Sequence, residues 1–293
     1  MKDRPTLRLR LAQRGLDGAT LLILPAIAFV LALFVYPFLY GLFLSFTPKQ
    51  GGALSNYARF FTDPYLYDTI GTTLLIAVPV TLLNVIVSVP VALRVRNLRR
   101  QRLLTTILVI PITLGTVLVA EGLLNYLGPR GWLNRVLLEF GLAEHPVRLV
   151  HNYWGVFLSL VITGFPFTFL LTLSYVTGVD PSLEQAGAML GARARQRFAR
   201  ILLPLLVPGL TITLCLSFVQ AFSVFPSAVL LGAPAGPTRV ISIAAYQAAF
   251  EQYDYSMASA IAMIMAFVQV LIVVALLGLK GLAYRGPAGG GKG

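Results

Sequence analysis

The residues from 180 to 204 have types and spacing suited to mechanical rather than covalent work. The run holds Asp180, Pro181, Ser182, Glu184, Gln185, Ala186, Gly187, Gly191, Arg193, Arg197, Phe198, Arg200, Ile201 and Pro204. Asp180 or Ser182 can cap a helix, Pro181 suits its first turn, and Glu184 complements the dipole at its N-terminus. Gly191 supplies a residue tolerant of positive φ where that helix ends. A second, basic helix is expected next. There Arg193, Arg197 and Arg200 fall at i, i+4 and i+7 on one face, with Phe198 and Ile201 pointing elsewhere. Pro204 then suits the first turn of the following element. Such a helix–glycine–helix unit can be a docking knob for another protein, or a basic loop that only sets membrane orientation.

Four other polar residues stand in apolar runs: Asn84, Glu121, Gln220 and Ser223. Polar side chains in such runs line pathways or hold helices together. Glu121 is the one carboxylate inside an apolar run. Facing a pathway, it favours a cation; it can equally sit at an interface or pair with an arginine. Gln220 and Ser223 lie at i and i+3 on one helical face, while Phe222 and Phe225 suit packing. His145 and His151 have no cysteine or carboxylate at metal-ligand spacing, so no metal site and no cofactor is expected. Gly286, Gly291 and Lys292 mimic a phosphate loop, but Gly293 stands where Ser or Thr belongs and no strand precedes them. The single Cys215 has no second cysteine for an intrachain bridge.

The elements that position these residues follow from composition. The 293 residues are 57% hydrophobic and only 12% charged, with a mean hydropathy of +0.80. A soluble domain carries about 25% charged residues. This excludes a water-soluble enzyme, a disordered chain and a disulfide scaffold. Crossing a bilayer takes roughly 20 helical residues. Six apolar runs are long enough, near Leu21–Leu44, Thr72–Leu93, Leu103–Leu124, Tyr153–Val176, Ile201–Leu231 and Tyr255–Leu279. None alternates as a barrel strand would, so the fold class is an all-α, multi-pass membrane protein of six helices. Pro79, Pro90, Pro111, Pro166, Pro208 and Pro226 lie inside these runs and can kink them. Between the third and fourth runs, Trp132, Val136, Leu137 and Phe140 are spaced for one face of a short helix on the outer surface.

The net charge of +12 is a topology signal rather than a nucleic-acid footprint. Lysines and arginines gather in the N-terminal segment (Lys2 to Arg14), the second-to-third connection (Arg94 to Arg102), the 180–201 loop and the tail. Only Lys49, Arg59, Arg130, Arg135, Arg148 and Arg239 fall on the other side. By the positive-inside rule both termini and the 180–201 loop are expected in the cytoplasm. The organisation is a cytoplasmic segment 1–20, a membrane domain 21–282 and a glycine-rich tail 283–293.

The 180–204 run resembles the EAA loop of membrane subunits of binding-protein-dependent ABC importers. The family pattern is Glu-Ala-Ala, three residues, Gly, nine residues, Ile, one residue, Leu-Pro. Gly191, Ile201, Leu203 and Pro204 fall in register, with Ala186 and Gly187 at the Ala-Ala positions. Gln185 stands at the glutamate position. Either Gln185 is a neutral substitute, or Glu184 supplies the carboxylate from a neighbouring angle. The stretch Tyr126 to Asn134, the Asp180 to Leu183 entry and Phe225-Pro226-Ser227 are similar to spermidine/putrescine-type permeases. Permeases for ferric iron, thiamine and phosphonates share much of this pattern.

The resemblance implies a six-helix type I ABC importer permease in the bacterial inner membrane. Two cytoplasmic ATP-binding subunits, a second permease and an extracytoplasmic solute-binding protein would be its partners. Hydrolysis would belong to the ATP-binding subunits, so this chain is expected to be no enzyme. A self-sufficient secondary transporter would show inverted repeats and a midplane ion site, and the sequence has neither. A membrane enzyme would need His, Cys or paired carboxylates in the spans.

Overall fold

The computed structural model describes residues 24–283. The 1–20 segment and the residues after Ala283, with their glycine–lysine string, lie outside the described residues. Eleven helices are labelled in chain order: α1 Leu24–Ser45, α2 Ser55–Thr62, α3 Pro64–Val95, α4 Gln101–Leu127, α5 Trp132–Glu139 and α6 Tyr153–Thr177. They continue with α7 Pro181–Met189, α8 Ala194–Phe222, α9 Pro226–Leu230, α10 Ile241–Tyr246 and α11 Tyr255–Ala283. No strand occurs among the described residues. Among the described residues, six helices are long and apolar enough to cross a membrane.

The differences from expectation have local causes. α3 starts at Pro64, not Thr72, because the Asp63 carboxylate accepts the Tyr65 N–H at 3.0 Å and Pro64 fits the first turn. Asp68 and two tyrosines lower the hydropathy of that first stretch and hid it from the sequence pattern. The fifth span ends at Phe222, not Leu231. Ser223 to Phe225 leave helical geometry, and Pro226 opens the one-turn α9 instead of kinking a span. α4 is broken at Gly115, whose φ of +75° suits glycine. Two wide π turns, Leu31–Val35 and Phe198–Leu202, fall just before Pro37 and Pro204. A proline cannot donate to the preceding turn and its ring clashes with the carbonyl four residues back, which the widened turn relieves.

α3, α6 and α8 form the centre, with α10 and α11 against it. The largest core cluster joins Phe60, Ile76, Val80, Val156, Phe218, Phe222, Ile241 and Ile261. A second, around Phe169, Leu173, Val176, Leu202 and Leu206, packs toward the loop that holds α7. Hydroxyl pairs tie the central helices: Ser88 with Thr172 at 2.8 Å and Thr168 with Ser217 at 2.7 Å. Without a hydrophobic drive between helices in lipid, small polar residues and close packing do this work.

The connections facing away from α7 are also built. α5 forms as expected, but its inward side is Leu133 and Asn134, with Trp132 and Phe140 exposed. The Asn134 side chain donates to Gly128 O and accepts from Val147 N, at 2.9 and 2.7 Å. Arg239 is buried, donates to Gln247 Oε1 at 2.9 Å and lies 3.8 Å from the Tyr65 ring centre. Burial pulls its guanidinium below the ordinary value, opposed by the charges of Tyr65, Asp63 and Glu251.

Candidate functional site

The loop after α6 is preorganised. Asp180 caps α7 by accepting the Ser182 N–H at 2.8 Å, and that bond holds its carboxyl below the usual range. At the other end, Ala192 N–H donates to Gly187 O and Gly191 N–H to Ala188 O, both at 3.0 Å. This pair of bonds is a Schellman turn, and it needs the left-handed φ of +81° found at Gly191. The chain then re-enters a helix. Arg193 is extended and sits at the start of α8, with its N–H donating to Gln196 Oε1 at 2.8 Å.

Arg193 therefore lies outside the helix, and the π turn shifts Arg200 relative to Arg197. The expected face of three arginines does not form. Arg197 instead folds back, donating to Ala192 O at 3.0 Å and laying its methylenes over Gly187. A Cβ at Gly187 would come within 2.7 Å of Ile201 Cδ1, so α7 and α8 approach closely here and a larger residue would push the tip of the Ile201 side chain aside. Phe198 packs on the second core cluster, and Ile201 is half-buried. Gln185, Ala186 and Pro204 are exposed.

Glu184 turns inward. It forms an ion pair with Arg96 just past the end of α3, the one ion pair among the described residues. Arg96 also reaches Val176 O at 3.5 Å. The loop is thus fastened to the ends of both α3 and α6. At its tip, Met189 and Leu190 are 89% and 88% exposed. A cleft of about 450 Å³ runs beside them, lined by Gly187, Leu190, Gly191, Gln196, Arg200 and Ile201.

A second feature lies within the helix bundle. Asn84, Gln220 and Ser223 line one cavity of about 260 Å³, together with Thr116, Thr163, Thr168 and Ser217. Asn84 is 2% exposed, and its side-chain oxygen has no hydrogen-bond partner. Gly164 makes room for it: a Cβ there would stand 2.9 Å from Asn84 Nδ2. Ser223 Oγ accepts from Gln269 Nε2 of α11 at 2.8 Å, so it both lines the cavity and ties two helices. Glu121 is exposed on α4 and is not among the lining residues.

Sequence reasoning missed Arg96, Thr116, Thr163, Thr168, Ser217 and Gln269. Arg96 was one of several arginines in a basic connection. The hydroxyl residues are common in membrane helices, and only their convergence marks them. No group of three or more potential metal ligands occurs among the described residues.

The family model for binding-protein-dependent transport system inner membrane components matches residues 84–283, more than half of the chain. The chain belongs to this family. A match over this range covers both the cavity helices and the loop. The chain is 28% identical over 205 residues to a spermidine/putrescine transport system permease protein of Haemophilus influenzae, covering 67% of this chain and 71% of that protein. It is 32% identical over 165 residues to a probable sulfate transport system permease protein of Prototheca wickerhamii, covering 56% of this chain and 62% of the relative. A spermidine/putrescine permease protein of Salmonella typhimurium is 30% identical, with 63% of this chain and 64% of that protein aligned. The aligned part thus spans somewhat under two thirds of two of these relatives.

In three dimensions the chain resembles a bacterial alginate ABC transporter in complex with an alginate pentasaccharide-bound periplasmic protein. The TM-score is 0.81 at 23% identity, covering 95% of this chain and 98% of that one. A second structure, of a bacterial ABC transporter involved in alginate import, gives 0.76 at 22% identity, covering 92% and 96%. The fold class is that of an ABC importer permease, in a multi-pass inner membrane component.

Proposed function

We propose that this chain is the permease subunit of an ATP-driven importer and that the α7–Gly191–α8 loop is where it docks on its ATP-binding subunits. The observation that carries this reading is the preorganised loop. A segment that only set orientation would need neither a Schellman turn, nor an ion pair to Arg96, nor two exposed apolar residues at its tip. Its contacts with the ends of α3 and α6 give a route by which movement of a docked ATPase reaches the bundle. ATP shifts the bundle only through its differential affinity for the two states.

The partners in this proposal are two cytoplasmic ATP-binding subunits, a second permease and an extracytoplasmic solute-binding protein. The alginate transporter crystallised with a periplasmic protein supports the last of these. The proposed orientation places both termini and the loop in the cytoplasm, on the lysine and arginine asymmetry. A cysteine replacing Ala235 is then expected to react with an impermeant maleimide in intact cells, and one replacing Ala192 only after permeabilisation. The reverse pattern removes the docking proposal.

For the solute we propose a polyamine, supported by the spermidine/putrescine permease relatives. The sulfate relative supplies the competing reading. Proteoliposomes holding the assembled importer and its binding protein are expected to take up labelled putrescine or spermidine in an ATP-dependent manner, at least tenfold faster than labelled sulfate. Faster sulfate uptake leaves the importer reading intact and ends the polyamine one.

A further inference from the structure

The turn between α3 and α4 concentrates charge that nothing in the chain balances. Arg94, Arg96, Arg99, Arg100 and Arg102 fall within nine residues, and no Asp or Glu occurs between Asp68 and Glu121. Arg96 is engaged by Glu184 and by Val176 O. The other four are exposed, and among the described residues their side chains form no ion pair and no hydrogen bond. The turn is tight: Leu98 N–H donates to Val95 O at 3.0 Å and Gln101 N–H to Leu98 O at 3.1 Å. A short backbone thus gathers these charges at one place. The first turn of α4 has no acid and no side-chain cap, so its positive dipole end adds to the imbalance.

Setting the orientation of a membrane chain asks only for an excess of charge in a connection. Here the placement is more specific. No residue from 101 to 119 is buried, and the first half of α4 exposes Leu103, Ile107, Ile110 and Leu114. Leu98, inside the turn, is exposed as well. The arginines therefore stand where a lipid-facing helix leaves the hydrocarbon, interleaved with apolar residues. At that depth their methylenes stay in the apolar layer while the guanidinium groups reach the headgroups. A guanidinium meets a phosphate through two parallel N–H···O bonds. An acidic protein partner could answer the same charge, but it would also have to seat on the lipid-facing leucines.

We propose that the α3–α4 turn binds the phosphate headgroups of anionic phospholipids through Arg94, Arg99, Arg100 and Arg102. Bound lipid then anchors a span whose first half has no buried residue of its own. This goes beyond the importer reading and does not depend on it, since headgroup binding belongs to the turn on whichever face it lies. The test uses the full chain, with the complex that copurifies with it, in nanodiscs of phosphatidylcholine with a minor share of phosphatidylglycerol, present in both leaflets. Native mass spectrometry after release from the nanodisc counts the lipids that stay bound. Phosphatidylglycerol is expected at least tenfold above its share of the bilayer. Arg99→Gln/Arg100→Gln is expected to cut this preference at least fivefold, on the scale of about fivefold for each arginine near an anionic surface. Arg99→Lys/Arg100→Lys, which keeps the charge and loses the paired bonds, is expected to cut it about twofold. Arg130→Gln/Arg135→Gln, which removes as much charge elsewhere, is expected to leave it unchanged. Equal retention of the two lipids by the unaltered chain overturns the proposal. So does an equal fall in the Arg130/Arg135 variant, which would make the effect one of net charge. Loss of the ATP-binding subunits from the Arg99/Arg100 glutamine variant with its lipid preference kept would assign the patch to a protein partner and overturn it too.

Discussion

Gly191→Pro is expected to abolish copurification of the ATP-binding subunits while leaving membrane insertion intact. Gly191 has φ of +81° and donates its N–H to Ala188 O at 3.0 Å. Proline fixes φ near −65° and has no N–H, so it removes both the turn and the bond. A Cβ at this position would meet nothing within 4 Å, so other substitutions cost backbone strain rather than collision. That makes a graded series. Asn, which tolerates the left-handed region, is expected to keep most of the complex. Ala costs about 1–2 kcal/mol, and Val more because its branched Cβ crowds the backbone. The expected order of retained ATPase is Gly, Asn, Ala, Val, Pro, with at least a tenfold loss at Val. Full retention in Gly191→Pro would reduce the loop to a topology signal.

Charge reversal at the Arg96–Glu184 pair is expected to detach α7 from the bundle. The two side chains are 12% and 24% exposed, a partly buried pair. Breaking a buried pair costs about 3–5 kcal/mol, and exposed pairs contribute about 0–1 kcal/mol. Here about 2 kcal/mol is expected, roughly a 30-fold rise in opening of the loop. Amide hydrogen exchange along 181–189 reads this directly, since protection there follows local opening. Arg96→Glu and Glu184→Arg are each expected to speed exchange and weaken ATPase association. The double reversal is expected to restore both in large part. A double variant no better than either single one would mean that the contact does not fasten the loop. Gln185→Ala, at an exposed position, is expected to leave the exchange unchanged, which separates the two candidates for the motif's acidic role.

The amino-acid sequence by itself determined the class of this protein, because bilayer crossing is a local property. About 20 apolar residues in a row announce a helix wherever they pack. The cap at Asp180 and the turn at Gly191 were legible for the same reason: their hydrogen bonds close within a few residues. Boundaries failed where hydropathy and helix geometry part company. Residues 64–71 are helical but polar, and 223–231 are apolar but broken by Ser223 and Pro226. The π turn before Pro204 likewise removed the arginine face that a regular 3.6-residue period had implied.

Only the tertiary structure decided which polar residues act together. Asn84 on α3 is far along the chain from Gln220 on α8 and Ser223 just past its end, and nothing in their spacing shows that Thr116, Thr163, Thr168 and Ser217 join them. Glu121 looked equivalent to them in sequence, yet its position on α4 leaves it outside the cavity. Glu184 and Gln185 are adjacent, but helical geometry sends one to Arg96, 88 residues away, and the other to the surface. Side-chain direction along a helix follows from local periodicity. What that side chain meets is set by the packing of distant helices, and no local pattern encodes it.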